Sequence, residues 1–433
     1  MKNVAFCTLG CKVNQYETQA INGIFRNEGY EVVDFEDKAD VYVINTCTVT
    51  SLSDRKSRQM IRKAKKNNPE SIVVVVGCYA QTAPEEVAGI PGVNLIIGTK
   101  ERAMIPEYIR RIENGEEQIN AVNDIMGNRY FEELSVDSNI ERTRAYLKIQ
   151  EGCSQFCSYC IIPYARGPIR SRKKDEVLEE ARKMAAAGFK EIVLTGIHVA
   201  SYGKDTRESS LMDIIQEIHE IFGIERIRLG SLEPTIITDE FARIAQGLPK
   251  LCPHYHISLQ SGCDATLKRM NRKYSSKEYE EVVMRLRAHI PDVAITTDVM
   301  VGFPGETDEE FNKTYDFLNK INLYQMHVFK FSPRKGTPAA DFEDQVPPEI
   351  KEIRSKQLIN LSRENTLAFN RKYEGLIVPV IIDQHFKDSE DLLEGMTSNY
   401  INVAVKADEA LIGQIVNVRI AKAQEDYVEG ELV

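Results

Sequence analysis

Three cysteines stand close together in the stretch EGCSQFCSYCIIPYARG, at positions 153, 157 and 160. The spacing C-x3-C-x2-C gathers three thiolates on one short segment. Thiolates are soft ligands that suit zinc or iron–sulfur clusters. A structural zinc ion takes four protein ligands, and no fourth cysteine or histidine is close by in sequence. A zinc site therefore needs a remote fourth ligand. Three ligands on a four-iron cluster leave one iron open, free to hold a substrate or a cofactor.

Three more cysteines are far apart but share a context. Cys11 follows Leu9-Gly10, Cys47 follows VINT, and Cys78 follows VVVVG, each at the end of an apolar stretch. In a parallel sheet the same ends of neighbouring strands converge on a ligand crevice. The three meet at one edge of a domain on this reading; the alternative is three buried core cysteines. Cys7 falls inside a strand pattern and reads as core. Cys252 and Cys263 flank HYHISLQ with no partner at ligand spacing and read as structural. An odd number of cysteines, nine in 433 residues, argues against a disulfide scaffold.

The elements that position these thiols are legible from pattern. Short apolar runs VAFCTL, DVYVIN, SIVVVVGCY and GVNLIIG predict strands in residues 1–100. Helical patterns at about 14–28 and 53–66 separate them, so this part reads as a parallel α/β unit. Residues 101–140 read as a helix and then a linker. Strands then resume with AYLKIQ, EIVLTG, RIRLGS, HYHISLQ, AITTDVMVG and QMHVFKFS, with helices between them, such as 174–187 and 276–289. Six βα units suggest a closed or partly closed barrel with its chemistry at the C-terminal ends of the strands. The cysteine triplet sits just past the first of them. Residues 350–371 read as helix. Beyond Tyr373, short alternating strands with glycine turns predict a small all-β barrel.

A length of 433 residues suggests about two to four domains. Composition is that of a soluble globular protein, with 42% hydrophobic and 28% charged residues. No run of about 18 apolar residues predicts a membrane helix. The opening MKNVAFCTLG reads as a first strand rather than a signal peptide, which makes the cytoplasm the expected location, with no membrane partner. Net charge is −10, which argues against nonspecific nucleic-acid binding but leaves room for a local basic footprint. Residues 55–66 and 166–174 are two such stretches, each also readable as a solvated face. The C-terminal 63 residues hold twelve acidic and six basic side chains, and a purely structural barrel fits them too.

Two further features are suggestive. GFPGET (302–307) follows a predicted strand, and its glycines permit a tight turn close to a small molecule; an ordinary βα turn explains it equally. Glu233 ends GSLE after another strand. It is placed to accept a hydrogen bond from an ammonium group, or to cap a helix.

The triplet, with the aromatic Tyr159 before its last cysteine, resembles the cluster motif of the radical S-adenosylmethionine superfamily. LGCKVNQYET (9–18), VINTCTVT (43–50), VVVGCYAQ (74–81), QEGCSQFCSYCIIPYARG (150–167) and GFPGET together resemble the tRNA methylthiotransferases over essentially the whole chain. The form cysteine-lysine-valine-asparagine at 11–14 resembles the branch acting on N6-threonylcarbamoyladenosine at position 37. The resemblance implies an N-terminal methylthiotransferase α/β domain (1–125) with an auxiliary cluster. It implies a partial TIM-type (β/α)6 radical domain (140–370) and an OB-like TRAM barrel that binds RNA (371–433). It implies two [4Fe–4S] clusters, one on Cys153, Cys157 and Cys160 and the other on Cys11, Cys47 and Cys78.

S-adenosylmethionine would bind the open iron, with Tyr159, Gly196, Glu233, Gly302 and Gly305 as pocket walls. The implied partners are a tRNA anticodon stem-loop, a low-potential electron donor and a sulfur donor. Tyr164 and Arg166 are the expected base contacts, and Arg170, Arg172, Lys173 and Lys174 the expected phosphate contacts. The implied reaction replaces the C2 hydrogen of the adenine by a methylthio group. That C–H bond is strong and not acidic, so acid–base groups cannot open it and a cofactor-borne radical must. Alternatives are an isopentenyladenosine substrate, a ribosomal-protein aspartate, or a non-catalytic iron–sulfur protein that binds RNA.

Overall fold

The computed structural model describes residues 1–134, 143–387, 389 and 391–433. The expected start of the central domain, at 140, lies outside the described residues.

The first sheet contains β1 (Asn3–Thr8), β2 (Glu31–Val33), β3 (Val41–Thr46), β4 (Ile72–Gly77), β5 (Leu95–Ile96) and β6 (Ile119–Asn120). Its order is β2-β1-β3-β4-β5-β6 and every pairing is parallel. All of β3 is buried, as the continuous apolar runs require of a sheet covered on both faces. Helix α1 (Lys12–Asn27) buries Val13, Tyr16, Ala20, Ile21 and Phe25 along one stripe. Helix α2 (Ser51–Asn67) starts at Thr50, whose hydroxyl accepts from the Ser53 amide. Two expectations change here. GVNLIIG pairs only at Leu95 and Ile96. The expected helix is present as Ile105–Glu113, but the expected linker after it contains β6, which adds an edge strand to this sheet.

The central part forms an open barrel. β7 (Arg144–Glu151), β8 (Arg170–Ser171), β9 (Glu191–Gly196) and β10 (Arg226–Leu229) make one sheet, in the order β10-β9-β7-β8. β11 (His254–His256), β12 (Ala294–Val301) and β13 (Gln325–Lys330) make a second, fully parallel sheet. Single bridges, Ile227 to Leu251 and Leu232 to Ile257, join the two. Alternate residues on these strands, such as Leu147, Ile192, Ile227, Tyr255 and Ile295, enter one large apolar core beneath the helices. By the period of two, Lys148, Glu191, Arg228, His254, Asp298 and His327 share the opposite face. The lumen is therefore polar. β8, antiparallel to β7, is a strand that sequence pattern did not predict.

The last five strands are β14 (Ile377–His385), β15 (Leu393–Thr397), β16 (Asn402–Val405), β17 (Ile415–Ala423) and β18 (Val428–Leu432), closed in the order β14-β15-β16-β18-β17. This barrel docks on the N-terminal ends of the central strands. Arg144 pairs with Asp383, Arg226 donates to the carbonyls of Met396 and Pro379, and Tyr400 stacks on His254 at 4.0 Å. The cysteine triplet is at the other ends of those strands. No helix among the described residues is long and apolar enough to cross a membrane.

Candidate metal centres

β1 and β3 are neighbours, while β2 lies on the far side of β1. This reversal of strand order is where α/β sheets open a crevice. Cys11 follows β1, Cys47 follows β3 and Cys78 follows β4. The strand ends touch, since a side chain added at Gly10 would stand 3.0 Å from Cys47 Sγ and 3.3 Å from Asn14 Nδ2. Cys11 is exposed, and Cys47 and Cys78 are buried. Burial pushes the Cys78 thiol up to about 12, and both other thiols of the trio act on it electrostatically. Burial raises Cys47 as well. The topology therefore brings these three together, as the positions after their strands predict. No three metal-ligating side chains among the described residues gather tightly enough for a single ion. The fit to an iron–sulfur group rests on the donor set: three thiols with a guanidinium beside them.

The second trio is built on one loop. Gly152 turns the chain out of β7 with φ +73, and the Cys153 amide donates to the Gly167 carbonyl at 3.0 Å. The Cys160 amide donates to the Cys157 carbonyl at 2.9 Å. Ser158 pins the loop to the chain after a neighbouring helix, through Met270 and Arg269 carbonyls at 3.1 and 2.8 Å. Burial pushes Cys153 up to about 11 and Cys160 up to about 12. Thiols raised in this way carry protons at neutral pH, and a metal group must displace them as it binds. Arg272 donates to Cys157 Sγ at 3.3 Å and to Glu233 Oε1 at 2.8 Å. Each trio thus keeps one arginine on one sulfur, a contact suited to stabilising a thiolate-rich, negatively charged group.

Arg166 is the other arginine, and it links the trios. It lies six residues after Cys160 on the short helix Ile162–Arg166. Its Nε donates to Cys78 Sγ at 3.2 Å. Its Nη2 donates to Asn14 Oδ1 at 2.6 Å, and Nη1 to Glu17 Oε1 at 2.5 Å. Glu17 also receives Arg102 at 2.5 Å and Lys148 at 2.8 Å, while Glu151 pairs with Lys148 and Arg166. Burial alone would raise the Glu17 carboxyl, but Arg102, Arg166 and Lys148 hold it well below the usual range. The helix carrying Arg166 begins just past the loop of the second trio, and its last side chain reaches the dispersed one.

The expected pocket residues line the same ends of the strands. Tyr159 packs edge-on against Phe303 of the GFPGET turn at 6.4 Å. Gly302 and Gly305 both have positive φ, and the Gly302 amide donates to Glu306, which Arg354 holds at 2.7 Å. Gly196 is packed against Gln150, whose carbonyl would lie 2.9 Å from a side chain there. Burial pushes Glu233 up, but the neighbouring His198 ring and the Arg272 guanidinium bring it below its ordinary value. Glu233 is thus an ionised group beside the triplet.

The expected RNA contacts divide. Tyr164 and Lys173 are exposed and Lys174 half-exposed, where an RNA can reach them. Arg166, Arg170 and Arg172 are buried, and this corrects the expectation for all three. Arg166 is spent on Glu17 and Cys78, Arg170 on the Pro168 carbonyl at 2.9 Å, and Arg172 on Glu133 and Glu180. A basic run in sequence cannot distinguish an ion pair with distant carboxylates from a free cation. Sequence reading also missed Arg272, Arg102 and Lys148, which carry no local signal. Asn14 and Glu17 fall inside the LGCKVNQYET motif, and that was their only signal.

The radical SAM superfamily model matches residues 147–318, the model of uncharacterized protein family UPF0004 matches 3–98, and the TRAM domain model matches 371–433. The threonylcarbamoyladenosine tRNA methylthiotransferase MtaB of Bacillus subtilis is 46% identical, covering 100% of this chain and 97% of that protein. A tRNA-2-methylthio-N(6)-dimethylallyladenosine synthase of Acetivibrio thermocellus is 36% identical, covering 100% of this chain and 92% of that protein. Among solved structures, the radical S-adenosylmethionine methyltransferase TsrM from Kitasatospora setae is similar in fold, with TM-score 0.56 at 17% identity, covering 78% of this chain and 77% of that one.

Proposed function

We propose the reaction from one premise: this chain belongs to the radical S-adenosylmethionine tRNA methylthiotransferase family. It is an enzyme that converts N6-threonylcarbamoyladenosine of tRNA to its 2-methylthio derivative, using S-adenosylmethionine and iron–sulfur chemistry. The higher identity to the threonylcarbamoyl enzyme, 46% against 36% for the dimethylallyl one, favours this substrate over the alternatives.

The finer assignments follow. Cys153, Cys157 and Cys160 hold one [4Fe–4S] cluster, and Cys11, Cys47 and Cys78 hold the other. When bound, the first would supply the electron that splits one S-adenosylmethionine to give a hydrogen-abstracting radical, the second would supply the sulfur, and a second S-adenosylmethionine would supply its methyl group. The chain's own residues hold and insulate. Arg272 and Arg166 each place a positive charge on a ligand sulfur. Glu233 accepts from the ammonium of S-adenosylmethionine, and Tyr159 with the 302–305 turn walls its pocket. The anticodon stem-loop presents position 37, with Tyr164 as a stacking surface and Lys173 and Lys174 toward phosphates. A low-potential electron donor and a sulfur donor complete the partner set. The domain limits that fit are 1–125, 140–370 and 371–433.

One observation carries this reading: Arg166, on the helix leaving one cysteine trio, donates to Cys78 of the other. Two thiol sites joined by a single side chain suit a reaction in which a radical made at one must meet sulfur held at the other.

The test is an anaerobic reaction of reconstituted protein, dithionite and S-adenosylmethionine with tRNA carrying threonylcarbamoyladenosine, followed by mass analysis of nucleosides and assay of 5′-deoxyadenosine. The expected product is a nucleoside with methylthio in place of hydrogen, absent when Cys11, Cys47 or Cys78 is alanine. Deoxyadenosine without that nucleoside would discard the substrate. Neither product, from protein that holds its iron, would discard the reaction.

A further inference from the structure

Lys12 is the first residue of α1 and follows Cys11 directly. It is in electrostatic range of Arg144 on β7, Glu191 on β9, Arg228 on β10, His254 on β11 and His327 on β13. One point lies near groups on five strands of an open barrel only if it is inside that barrel. The contacts of α1 with β7 and β9 carry the side chain there. It remains half-buried and so open to solvent.

The other lumen cations are already engaged. Arg144 pairs with Asp383, Arg226 is on two carbonyls of the C-terminal barrel, and Arg228 is on Glu191 at 2.7 Å. Among the described residues, no carboxylate lies within the 4.0 Å ion-pair distance of the Lys12 ammonium. The nearby acid is committed too, Glu191 to Arg228. A partly desolvated ammonium with no counter-charge is costly, and an arriving anion removes that cost. The first turn of α1 contains no acidic residue and Cys11 gives it no side-chain cap, so its amide dipoles favour the same sign of charge.

We propose that Lys12 receives the threonyl carboxylate of the target nucleoside and thereby sets which N6-substituted adenosine the enzyme accepts. This rests on the substrate reading above. The threonylcarbamoyl group carries a free carboxylate, whereas a dimethylallyl group on the same nitrogen carries none. With Cys11 next in sequence, the residue that reads the N6 substituent is covalently adjacent to a ligand of the sulfur-supplying site. Recognition of the substituent and placement of the base against that site are then one event.

The experiment is a double comparison on the full-length reconstituted enzyme under anaerobic conditions. Two anticodon stem-loop oligonucleotides are used, one with threonylcarbamoyladenosine and one in which threoninol replaces threonine, so that an alcohol stands for the carboxylate. Affinity is read by fluorescence anisotropy for wild type, K12M and K12R. A charge-assisted contact predicts that wild type prefers the carboxylate by about tenfold or more. K12M loses that preference with its affinity for the threoninol oligonucleotide little changed, and K12R keeps most of it. A preference that survives in K12M, or an equal loss for both oligonucleotides, overturns the proposal. Should K12M fail to hold its iron, the wild-type pair still decides, because equal affinities for the two oligonucleotides overturn it. A wild type that binds threonylcarbamoyladenosine no better than plain adenosine, and modifies neither, is a different failure, that of the substrate reading itself.

Discussion

The two cysteine trios solve one problem by opposite means. Cys153, Cys157 and Cys160 lie on a single loop, and their approach depends on the turns of that loop. Cys11, Cys47 and Cys78 come from three strands, and their approach depends on the register of β1, β3 and β4. Yet both use one local device, a glycine of positive φ immediately before a cysteine of the trio: Gly152 before Cys153, and Gly77, at φ +97, before Cys78. Both also put one arginine on one sulfur. The local site carries its own scaffold. The dispersed site borrows a whole domain and takes its arginine from the other domain. The dispersed trio should therefore be the more fragile of the two, and its fragility should lie at the shared contact.

The largest expected effect tests that contact. Glu17, Glu132 and Glu151 face Arg102, Lys148 and Arg166, three charges of each sign. Glu17→Gln keeps the shape and leaves one buried positive charge uncompensated, which costs about 3–5 kcal/mol. Urea unfolding should show it. The sign of the pH dependence follows from the lowered carboxyl of Glu17. Its stabilisation is fully present above the unfolded-state value and is lost as pH falls through the folded value. The variant should therefore lose less stability than wild type on acidification below about pH 4. An unchanged unfolding midpoint would show that the network does not hold the two halves together.

The next effect separates the sites. A side chain at residue 77 would stand 2.5 Å from Asn45 Oδ1 and 2.7 Å from the Thr46 carbonyl, and one at residue 152 only 1.9 Å from the Pro168 carbonyl. Gly77→Ala and Gly152→Ala each combine left-handed strain with overlap on backbone, about 2–4 kcal/mol. Each should remove iron from its own site and spare the other, so iron per chain falls by roughly half in each while the two retained centres differ in redox behaviour. Loss of both centres in either variant would mean that the trios assemble as one unit, and the contrast between local and dispersed construction would fail.

What the sequence displayed follows the same division. The local trio is visible as a spacing. The dispersed trio became visible only through the strands before it, because three apolar runs each ending at a cysteine imply a shared sheet edge. The barrel strands, most helices and the C-terminal β-barrel were legible because their apolar periodicity is local. β6 and β8 were not, because two-residue edge strands have too few positions to show a period. Arg166, Arg170 and Arg172 were misread for a related reason. Glu17, the partner of Arg166, and Glu133 and Glu180, the partners of Arg172, belong to other elements, and Arg170 turns back onto the Pro168 carbonyl; nothing near the arginines announces this. The lumen, where Lys12 meets groups from five strands, exists only in three dimensions.

The smallest effect concerns the surface beside the local trio, and it turns the corrected arginines into a control. Lys173 is exposed, and it pairs loosely with Glu176 at 3.7 Å, a contact worth little in water. Arg172 is one residue earlier and sealed between Glu133 and Glu180. If tRNA phosphates lie along this edge, Lys173→Ala should lower the slope of log affinity against log salt by about 0.7–0.9, the share of one phosphate contact. Arg172→Ala should leave the slope alone and lower stability instead, because it strands Glu180 in a buried position. A slope that falls for Arg172 and not for Lys173 would mean that the ion pairs open to receive RNA. The tRNA would then couple directly to Tyr16 of α1, which donates to Glu180 at 3.2 Å. α1 begins at Cys11 and Lys12, so the dispersed trio would no longer be a static counterpart of the local one but a site that RNA binding adjusts.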